Sequence, residues 1–337
     1  MPRHSSDTEP GITRNRIGRN WRYFDPQGRR IEDRSEIDRL NAIGLPPAYS
    51  KAWFCTDPNG HLQATGIDAR GRKQYRYHPE FRRMQESAKF EGLLEFGKAL
   101  PRLRRRLDRD LRRRELTDQT VLAAVVRLLD TEYIRIGNEE YVRENKSFGA
   151  TTLRSRHLVR KGSKLLMRFP GKSGIVQEVT ITDSNLKRII KRLQELPGQM
   201  LFQYVGRDGE LHHVTSTEVN AYIKDATGGD FTAKHFRTWG ASVIAFDRML
   251  EKAKDARISV KTVIEPVAEA LGNTPAISRK AYVHPELLEA LKEDARDPLH
   301  GLERPAPRNG LSSAEVGLLK FLGNRSSGRR RDVSSKR

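Results

Sequence analysis

Six residues between positions 135 and 282 have the types and the order that phosphoryl transfer would need. A tyrosine hydroxyl can attack phosphorus and hold the product as a covalent ester, which splits one difficult step into two easier ones. Cations and amide donors can stabilise the charge that develops on the nonbridging oxygens in the transition state. Each cation taken singly would more often be half of a surface ion pair, so the indication comes from the order of the whole set. In chain order these residues are Arg135, Lys172, Lys234, Arg237, Asn273 and Tyr282.

Two motifs that could indicate other chemistry do not fit their patterns. The GKS at 171–173 lacks the glycine that a phosphate-binding loop needs five residues earlier, where Leu166 stands, and a second strand follows it instead of a helix. His212 and His213 are adjacent, so they cannot both reach one metal ion from one strand face. No HExxH and no acidic cluster with a divalent-metal spacing stands out. The sequence therefore predicts chemistry without a nucleotide, a metal or another cofactor.

The charge balance predicts a polyanionic partner. Lys and Arg number 63 against 43 acidic residues, which gives a formal net charge of +20. A field of this sign attracts nucleic acid, and we expect double-stranded DNA to be the partner. The single cysteine, Cys55, excludes a disulfide within the chain and a thiolate metal site. No long apolar run and no apolar core near the N-terminus stands out, so we expect no membrane association and a cytoplasmic location beside the nucleoid.

The first quarter of the chain has the pattern of a small antiparallel sheet. Three Asp-x-x-Gly turns, beginning at Asp25, Asp57 and Asp68, separate short runs of strand-forming residues. We expect this sheet domain to cover residues 15–80, after a disordered start at residues 1–14. Tyr75 and Tyr77 are two residues apart and should share one face of their strand.

From residue 81 the pattern is mainly helical, and we expect a catalytic domain over residues 81–322. Leu100, Leu103, Leu107 and Leu111 form one apolar stripe among many arginines, and Pro101 is expected to interrupt the helix there. Thr117 should cap the next helix, with Gly137 as its stop and Arg135 in its last turn.

Two further signals concern the predicted reactive residues. Alternating runs around PGKSG predict a β-hairpin near residues 164–181 with Lys172 at its tip. Thr274 and Pro275 suit the cap and first turn of a helix that would carry Tyr282. The basic end of the chain, residues 323–337, is predicted to be a disordered tail.

With these motifs in place, the chain resembles the small type IB DNA topoisomerases of poxviruses and bacteria over about residues 15–300. The four matching segments are IRIGNEEYVREN, PGKSG, KHFRTWGAS and LGNTPAISRKAY. The resemblance implies an α+β fold, with a small antiparallel β-sheet N-terminal domain and a larger, mostly helical catalytic domain. It also implies that the two domains form a C-shaped clamp around duplex DNA and that the enzyme works as a monomer.

The resemblance implies a mechanism as well. Tyr282 would attack a backbone phosphate and become joined to the DNA 3′ end, and Arg135 and Arg237 would hold the nonbridging oxygens. Lys172 would protonate the leaving 5′ oxygen, the cut strand would swivel, and the reaction would reverse without ATP or metal. Asn273 occupies a position that histidine usually holds in the viral enzymes, where an amide N–H can still donate to a phosphate oxygen.

The predicted DNA contacts fall in both domains. The resemblance assigns them to Gln74, Tyr75 and Tyr77 in the sheet domain and to Tyr141 in the catalytic domain. Lys234 adds a cation one helical turn before Arg237.

Two alternatives remain open at the level of sequence. A tyrosine site-specific recombinase shares the catalytic set, but recombinases usually have His-x-x-Arg where this chain has Lys234-His-Phe-Arg237, and they commonly carry a helical N-terminal domain. A DNA-binding module with a degenerate site is the other class, and the intact set of cations argues against it.

Overall fold

The computed structural model describes residues 1–18, 20–162, 164–206, 208–252, 258–292 and 304–334. The chain divides into two compact units, Met1–Lys89 and Phe90–Arg337. The first unit is a β-sheet domain and the second is mainly helical, so the predicted fold class is confirmed. The boundary lies at residue 89 rather than at residue 80, because most of α2 (Pro79–Glu91) belongs to the first unit.

The first unit is a five-stranded antiparallel sheet with one helix. The strand order is β2-β1-β3-β4-β5, and α1 (Arg34–Ala42) contributes the fully buried Leu40 to a core that includes Phe54 and Tyr23. Asp33 caps α1 by accepting the backbone N–H groups of Ser35 and Glu36. The strands are β1 (Ile12–Ile17), β2 (Asn20–Phe24), β3 (Ser50–Phe54), β4 (Leu62–Ile67) and β5 (Lys73–Tyr77).

The prediction of a disordered start at residues 1–14 is wrong. Arg3 pairs with Gly60 in a parallel bridge, and the Ser5 hydroxyl donates to the carbonyl of Leu62 and accepts its N–H, both at 3.1 Å. Hydrogen bonds to the turn before β4 hold this segment in place. Because it lacks a run of apolar side chains, no hydrophobic pattern in the sequence could indicate it.

The second unit surrounds one large apolar core with helices and carries two small antiparallel sheets, β6-β7-β8 and β9-β10. After α2 its elements are α3 (Leu93–Leu111), α4 (Asp118–Glu132), α5 (Glu139–Asn145), β6 (Leu158–Lys161), β7 (Lys164–Pro170), β8 (Val176–Ile181), α6 (Ser184–Leu193), β9 (Gln203–Val205), β10 (Leu211–His213), α7 (Ser216–Thr227), α8 (Ala233–Lys252), α9 (Val260–Leu271), α10 (Pro275–Ala281), α11 (Pro285–Ala290) and α12 (Ser313–Ser334). The predicted hairpin at 164–181 is present as β7 and β8.

The prediction that Pro101 interrupts its helix is wrong. The proline lies inside α3, and the break falls at Gly92 between α2 and α3. The leucine stripe of α3 is fully buried, as expected, and its packing outweighs the roughly 3 kcal/mol that an internal proline costs. Gly97, four residues before the proline, lets the Trp239 ring lie directly against the helix backbone.

The last helix extends into the predicted tail. A capping box begins α12, because Ser312 N–H donates to the Glu315 carboxylate and Glu315 N–H donates to the Ser312 hydroxyl. The helix then continues to Ser334, so the prediction of a disordered tail is wrong for 323–334, and 335–337 lie outside the described residues. The buried first half, with Leu318 and Phe321, supplies the nucleus, and arginines propagate a helix well.

A buried network of ion pairs and hydrogen bonds joins four helices of the second unit. The Arg104 guanidinium of α3 binds the Asp130 carboxylate of α4 through two hydrogen bonds of 2.9 Å. It also donates to both oxygens of Glu315 on α12, at 2.8 and 2.9 Å. Trp239 Nε1 of α8 donates to Glu315 at 3.0 Å. Because every member is hydrogen-bonded, the network fixes the spacing of these helices where a purely apolar contact would allow them to slide.

We expect Arg104→Met to lower the free energy of unfolding at neutral pH by about 3–5 kcal/mol, since Asp130 and Glu315 would be left buried without their cation. Burial alone would raise the pKa of Glu315, but the hydrogen bond and charge of Arg104 lower it below its usual 4.5. The stability from this pair is therefore present above pH 4.5 and is lost as pH falls below it. Urea unfolding at pH 7 and pH 3 should show the difference between variant and parent narrowing in acid.

Lys98→Met is the matched control on the same helix. Lys98 pairs with Glu95 at 2.7 Å, but both side chains are more than half exposed, so the loss should stay within about 1 kcal/mol. An Arg104→Met variant as stable as the Lys98→Met variant would contradict the structural role of the network.

Candidate active site

Arg237 lies between the C-terminal ends of two helices. Its side chain on α8 is 5 % exposed, and its guanidinium donates to the backbone carbonyls of Tyr133, which ends α4, and of Leu271, the last residue of α9, the latter at 3.0 Å. Carbonyls at helix C-termini lack helical partners and carry the negative end of the helix dipole. The two helix ends therefore hold this buried cation, and no carboxylate in the described part of the chain pairs with it.

The pKa of Arg237 reflects this environment. Burial, followed by repulsion from Arg135, lowers its pKa to about 10, while Tyr282 acts in the opposite direction. The guanidinium carbon lies 5.0 Å from the centre of the Tyr282 ring. The side chain is thus still charged at neutral pH, and a nearby anion would be bound strongly because little water competes for it.

The prediction that Arg135 lies in the last turn of α4 is wrong. Tyr133 adopts a left-handed conformation and ends that helix at Glu132. The following segment is extended and pairs with the backbone near Gly149: Ala150 N–H donates to the Arg135 carbonyl at 2.8 Å. A side chain on Gly149 would lie 2.5 Å from that same carbonyl oxygen, so only glycine permits this approach. The pairing fixes the Arg135 side chain, which donates to Asn273 Oδ1 at 2.7 Å.

Asn273 follows the glycine that ends α9. Gly272 has a φ of +58°, and Asn273 N–H closes the helix end by donating to the Ala268 carbonyl at 2.9 Å. The amide oxygen of Asn273 accepts from Arg135. Its buried Nδ2 has no hydrogen-bond partner among the described residues. The Arg135 contact therefore orients the amide with its donor available to a ligand.

Tyr282 comes directly after α10. Thr274 caps that helix as predicted, by accepting the Ile277 N–H, and Pro275 opens its first turn. Tyr282 N–H donates to the Ser278 carbonyl at 3.1 Å. Ser242, fully buried on α8, accepts His284 N–H at 3.1 Å. The tyrosine segment is thereby fastened to the helix that carries Arg237.

The two lysines of the predicted set are placed differently from the other four residues. Lys172 lies in a 3-10 turn, Lys172–Gly174, between β7 and β8, so it is at the hairpin tip as predicted. Its side chain is exposed, and Lys234 is exposed in the first turn of α8. The structure therefore brings together Arg135, Arg237, Asn273 and Tyr282, and it leaves both lysines on the surface.

Comparisons with known proteins match both units. A family model described as the catalytic core of eukaryotic DNA topoisomerase I matches residues 78–301, and one described as the N-terminal domain of bacterial DNA topoisomerase IB matches residues 20–68. The chain belongs to the type IB DNA topoisomerase family. The topoisomerase shares 31 % identity over 291 residues with DNA topoisomerase 1B of Acanthamoeba polyphaga mimivirus, covering 83 % of this chain and 87 % of the relative. It shares 24 % over 280 residues with that of vaccinia virus (strain Copenhagen), covering 78 % and 84 %. The recombinase and the inactive binding module are therefore not supported.

The predicted DNA contacts of the topoisomerase lie on exposed surfaces. In the first unit, Tyr75 and Tyr77 of β5 are 45 % and 40 % exposed, and their rings stack with centroids 6.2 Å apart. Gln74 Nε2 donates to Asp68 at 3.0 Å, which holds it beside the turn before β5. In the second unit, Tyr141 on α5 is 57 % exposed. The expectation that the two β5 tyrosines share a face is confirmed.

Sequence reasoning missed the residues that support this site. The carbonyls of Tyr133 and Leu271 and the hydroxyl of Ser242 give no signal, because backbone groups and a buried serine have no pattern of their own. Gln177 of β8 was also missed, although its amide lies against Gly272. Among the supporting residues, only Gly137 of the IRIG motif gave a signal in the sequence. Its φ of +98° belongs to the segment that positions Arg135.

The described residues offer neither a cluster of metal ligands nor a membrane-spanning helix. Across 1–18, 20–162, 164–206, 208–252, 258–292 and 304–334, no group of three His, Cys, Asp or Glu side chains could hold a metal ion. Within those ranges no helix is both long and apolar enough to cross a bilayer.

Proposed function

We propose that this topoisomerase relaxes supercoiled duplex DNA by reversible transesterification of one strand through Tyr282, with neither ATP nor a metal ion. One observation carries the proposal. Arg135 lies close enough to Arg237 to repel it, and Arg237 contacts Tyr282 through the ring and a side-chain hydrogen bond. The other acceptors of the two guanidiniums among the described residues are an amide oxygen and two backbone carbonyls. Two neighbouring cations that are not neutralised by carboxylates form an anion site next to a hydroxyl nucleophile.

In the proposed reaction the Tyr282 oxygen bonds to phosphorus as the bond to the 5′ oxygen breaks. The phenol gives its proton to solvent water, and Lys172 supplies one to the leaving 5′ oxygen, which becomes a hydroxyl. Arg135, Arg237 and Asn273 Nδ2 donate to the nonbridging oxygens, whose charge grows in the transition state. The energy of the phosphodiester is kept in the 3′-phosphotyrosyl bond, so the swivelled strand can be resealed by the reverse reaction.

Both units are proposed to contact the duplex as a C-shaped clamp. Gln74, Tyr75 and Tyr77 would contact DNA from the first unit, and Tyr141 and Lys234 from the second. Exposure of the three tyrosines and the net charge of +20 support this assignment. We propose that the enzyme acts as a monomer in the cytoplasm, associated with the nucleoid.

We expect Tyr282→Phe to abolish both plasmid relaxation and the covalent adduct, because the ring over Arg237 is kept and only the attacking oxygen is lost. Relaxation of positively and negatively supercoiled plasmid in EDTA, and a denaturing gel of a suicide substrate, measure the two. Noncovalent DNA affinity should stay close to that of the parent. A 3′ adduct formed by Tyr282→Phe would show that another residue is the nucleophile, and a strict magnesium requirement in the parent would refute the metal-free mechanism.

We expect Lys172→Ala to lose cleavage of an ordinary phosphodiester by about 10²–10⁴-fold, the usual range for a general acid. Cleavage should recover on a substrate whose leaving group is a 5′-bridging sulfur, since a thiolate leaves without a proton. Single-turnover rates on the two substrates give the comparison. Equal losses on both would contradict the general-acid role and would leave the Tyr282 assignment untouched.

We expect Asn273→Ala to slow cleavage strongly and Asn273→His to stay within about tenfold of the parent, because an imidazole N–H can replace the amide donor. Loss of one such donor typically costs about 10²–10³ in rate. Asn273→Asp is the matched control, because it keeps the acceptor for Arg135 and removes the donor, so it should also be slow. An Asn273→Ala variant that cleaves as fast as the parent would make Asn273 only a part of the α9 helix end.

A further inference from the structure

The hairpin that carries Lys172 leaves its tip exposed, so something else must set the position of the lysine. The side chains of Lys172, Ser173, Ile175 and Val176 are all exposed. Gly171 N–H donates to the Ile175 carbonyl at 2.8 Å, which closes the tip on itself and not onto the catalytic residues. The first partly buried side chain after the tip is Gln177, which pairs in register with Phe169 across the hairpin.

Gln177 touches the backbone at two glycines. A Cβ on Gly171 would lie 2.9 Å from Gln177 Cγ, so the stem of the side chain lies against the residue before Lys172. A Cβ on Gly272 would lie 2.3 Å from Nε2 and 2.4 Å from Oε1, so the amide lies against the residue before Asn273. One side chain thus fills the space between the residues that immediately precede two members of the proposed active site.

We infer that Gln177 is a positioning residue, which holds the Lys172 hairpin at a fixed distance from the Asn273 turn. The inference rests on the proposed function, in which Lys172 supplies the leaving-group proton. Proton transfer requires the donor within hydrogen-bond reach of its acceptor, and misplacement by about 1 Å can cost on the order of 10²-fold. The contact is made by an unbranched side chain that lies between two glycines, and a Cβ on either glycine would displace it.

The inference has a signature that a merely structural role lacks. Gln177→Ala should slow cleavage of an ordinary phosphodiester suicide substrate by about tenfold or more, a fraction of the general-acid effect. On the 5′-bridging phosphorothiolate it should cleave within about threefold of the parent, because the Lys172 proton is not needed there. The double variant Lys172→Ala/Gln177→Ala should be no slower than Lys172→Ala alone, since both changes remove the same contribution.

Three further variants separate the causes. Gln177→Met keeps an unbranched chain of similar length, so it should cleave at most of the parent rate, unlike Gln177→Ala. A slow Gln177→Met variant would contradict the view that packing of this side chain positions Lys172. Gly171→Ala adds a methyl group against the same side chain at a φ of −88°, which any residue can adopt, and should reproduce the substrate-dependent loss. Glu178→Ala changes the next residue of β8, an exposed side chain, and should leave both rates and the melting temperature unchanged.

The outcomes distinguish this inference from the proposed function. If Lys172→Ala recovers on the phosphorothiolate and Gln177→Ala is slow on both substrates or on neither, the positioning role is wrong and the general acid stands. If Lys172→Ala itself shows no recovery, the proposed general acid fails whatever Gln177 does. Melting temperatures of all variants, measured without DNA, check that each is folded at the assay temperature.

Discussion

The proposed active site depends on how one buried guanidinium is held. Among the residues that the structure describes, no carboxylate pairs with Arg237, and the carbonyls at the ends of α4 and α9 take that place. A carboxylate would bind the guanidinium more tightly, but it would also neutralise the charge that a phosphate is to meet and would repel the phosphate itself. Backbone carbonyls satisfy the donors and leave the net charge intact. The position of the Arg237 guanidinium is therefore determined by the positions of the two helix ends.

The end of α4 is set by contacts remote from the chemistry. Asp130, in the last turn of α4, is bound to Arg104, and Arg104 is bound to Glu315. Glu315 in turn accepts from Trp239, two residues after Arg237 on α8. The ion network therefore joins the helix whose terminal carbonyl binds Arg237 to the helix that carries Arg237. Gly240 extends this junction, since it leaves room for the Tyr133 ring against α8.

Much of this arrangement could be predicted from sequence, and the failures share a physical cause. Local signals worked: Thr117 and Thr274 cap their helices, the leucine stripe of α3 is buried, and Lys172 tips a hairpin. The prediction for the end of α4 failed because Tyr133 adopts a left-handed conformation that a tyrosine seldom does. The ordered N-terminus was missed because hydrogen bonds to a distant turn hold it. The types of the side chains indicate local secondary structure and burial. Which backbone carbonyls bind Arg237 is decided only by the tertiary structure.

The same arrangement explains why the site should be poised for an anion. Arg135 and Arg237 repel each other, and burial with this repulsion lowers the pKa of Arg237 to about 10. Keeping both charged at neutral pH therefore costs the DNA-free protein some stability. In the proposed reaction a phosphate between them would offset the repulsion and would supply an acceptor for Asn273 Nδ2, which is buried and has none among the described residues. Because these donors would be in place before DNA binds, little reorganisation would be needed as charge develops on the phosphate oxygens in the proposed transition state.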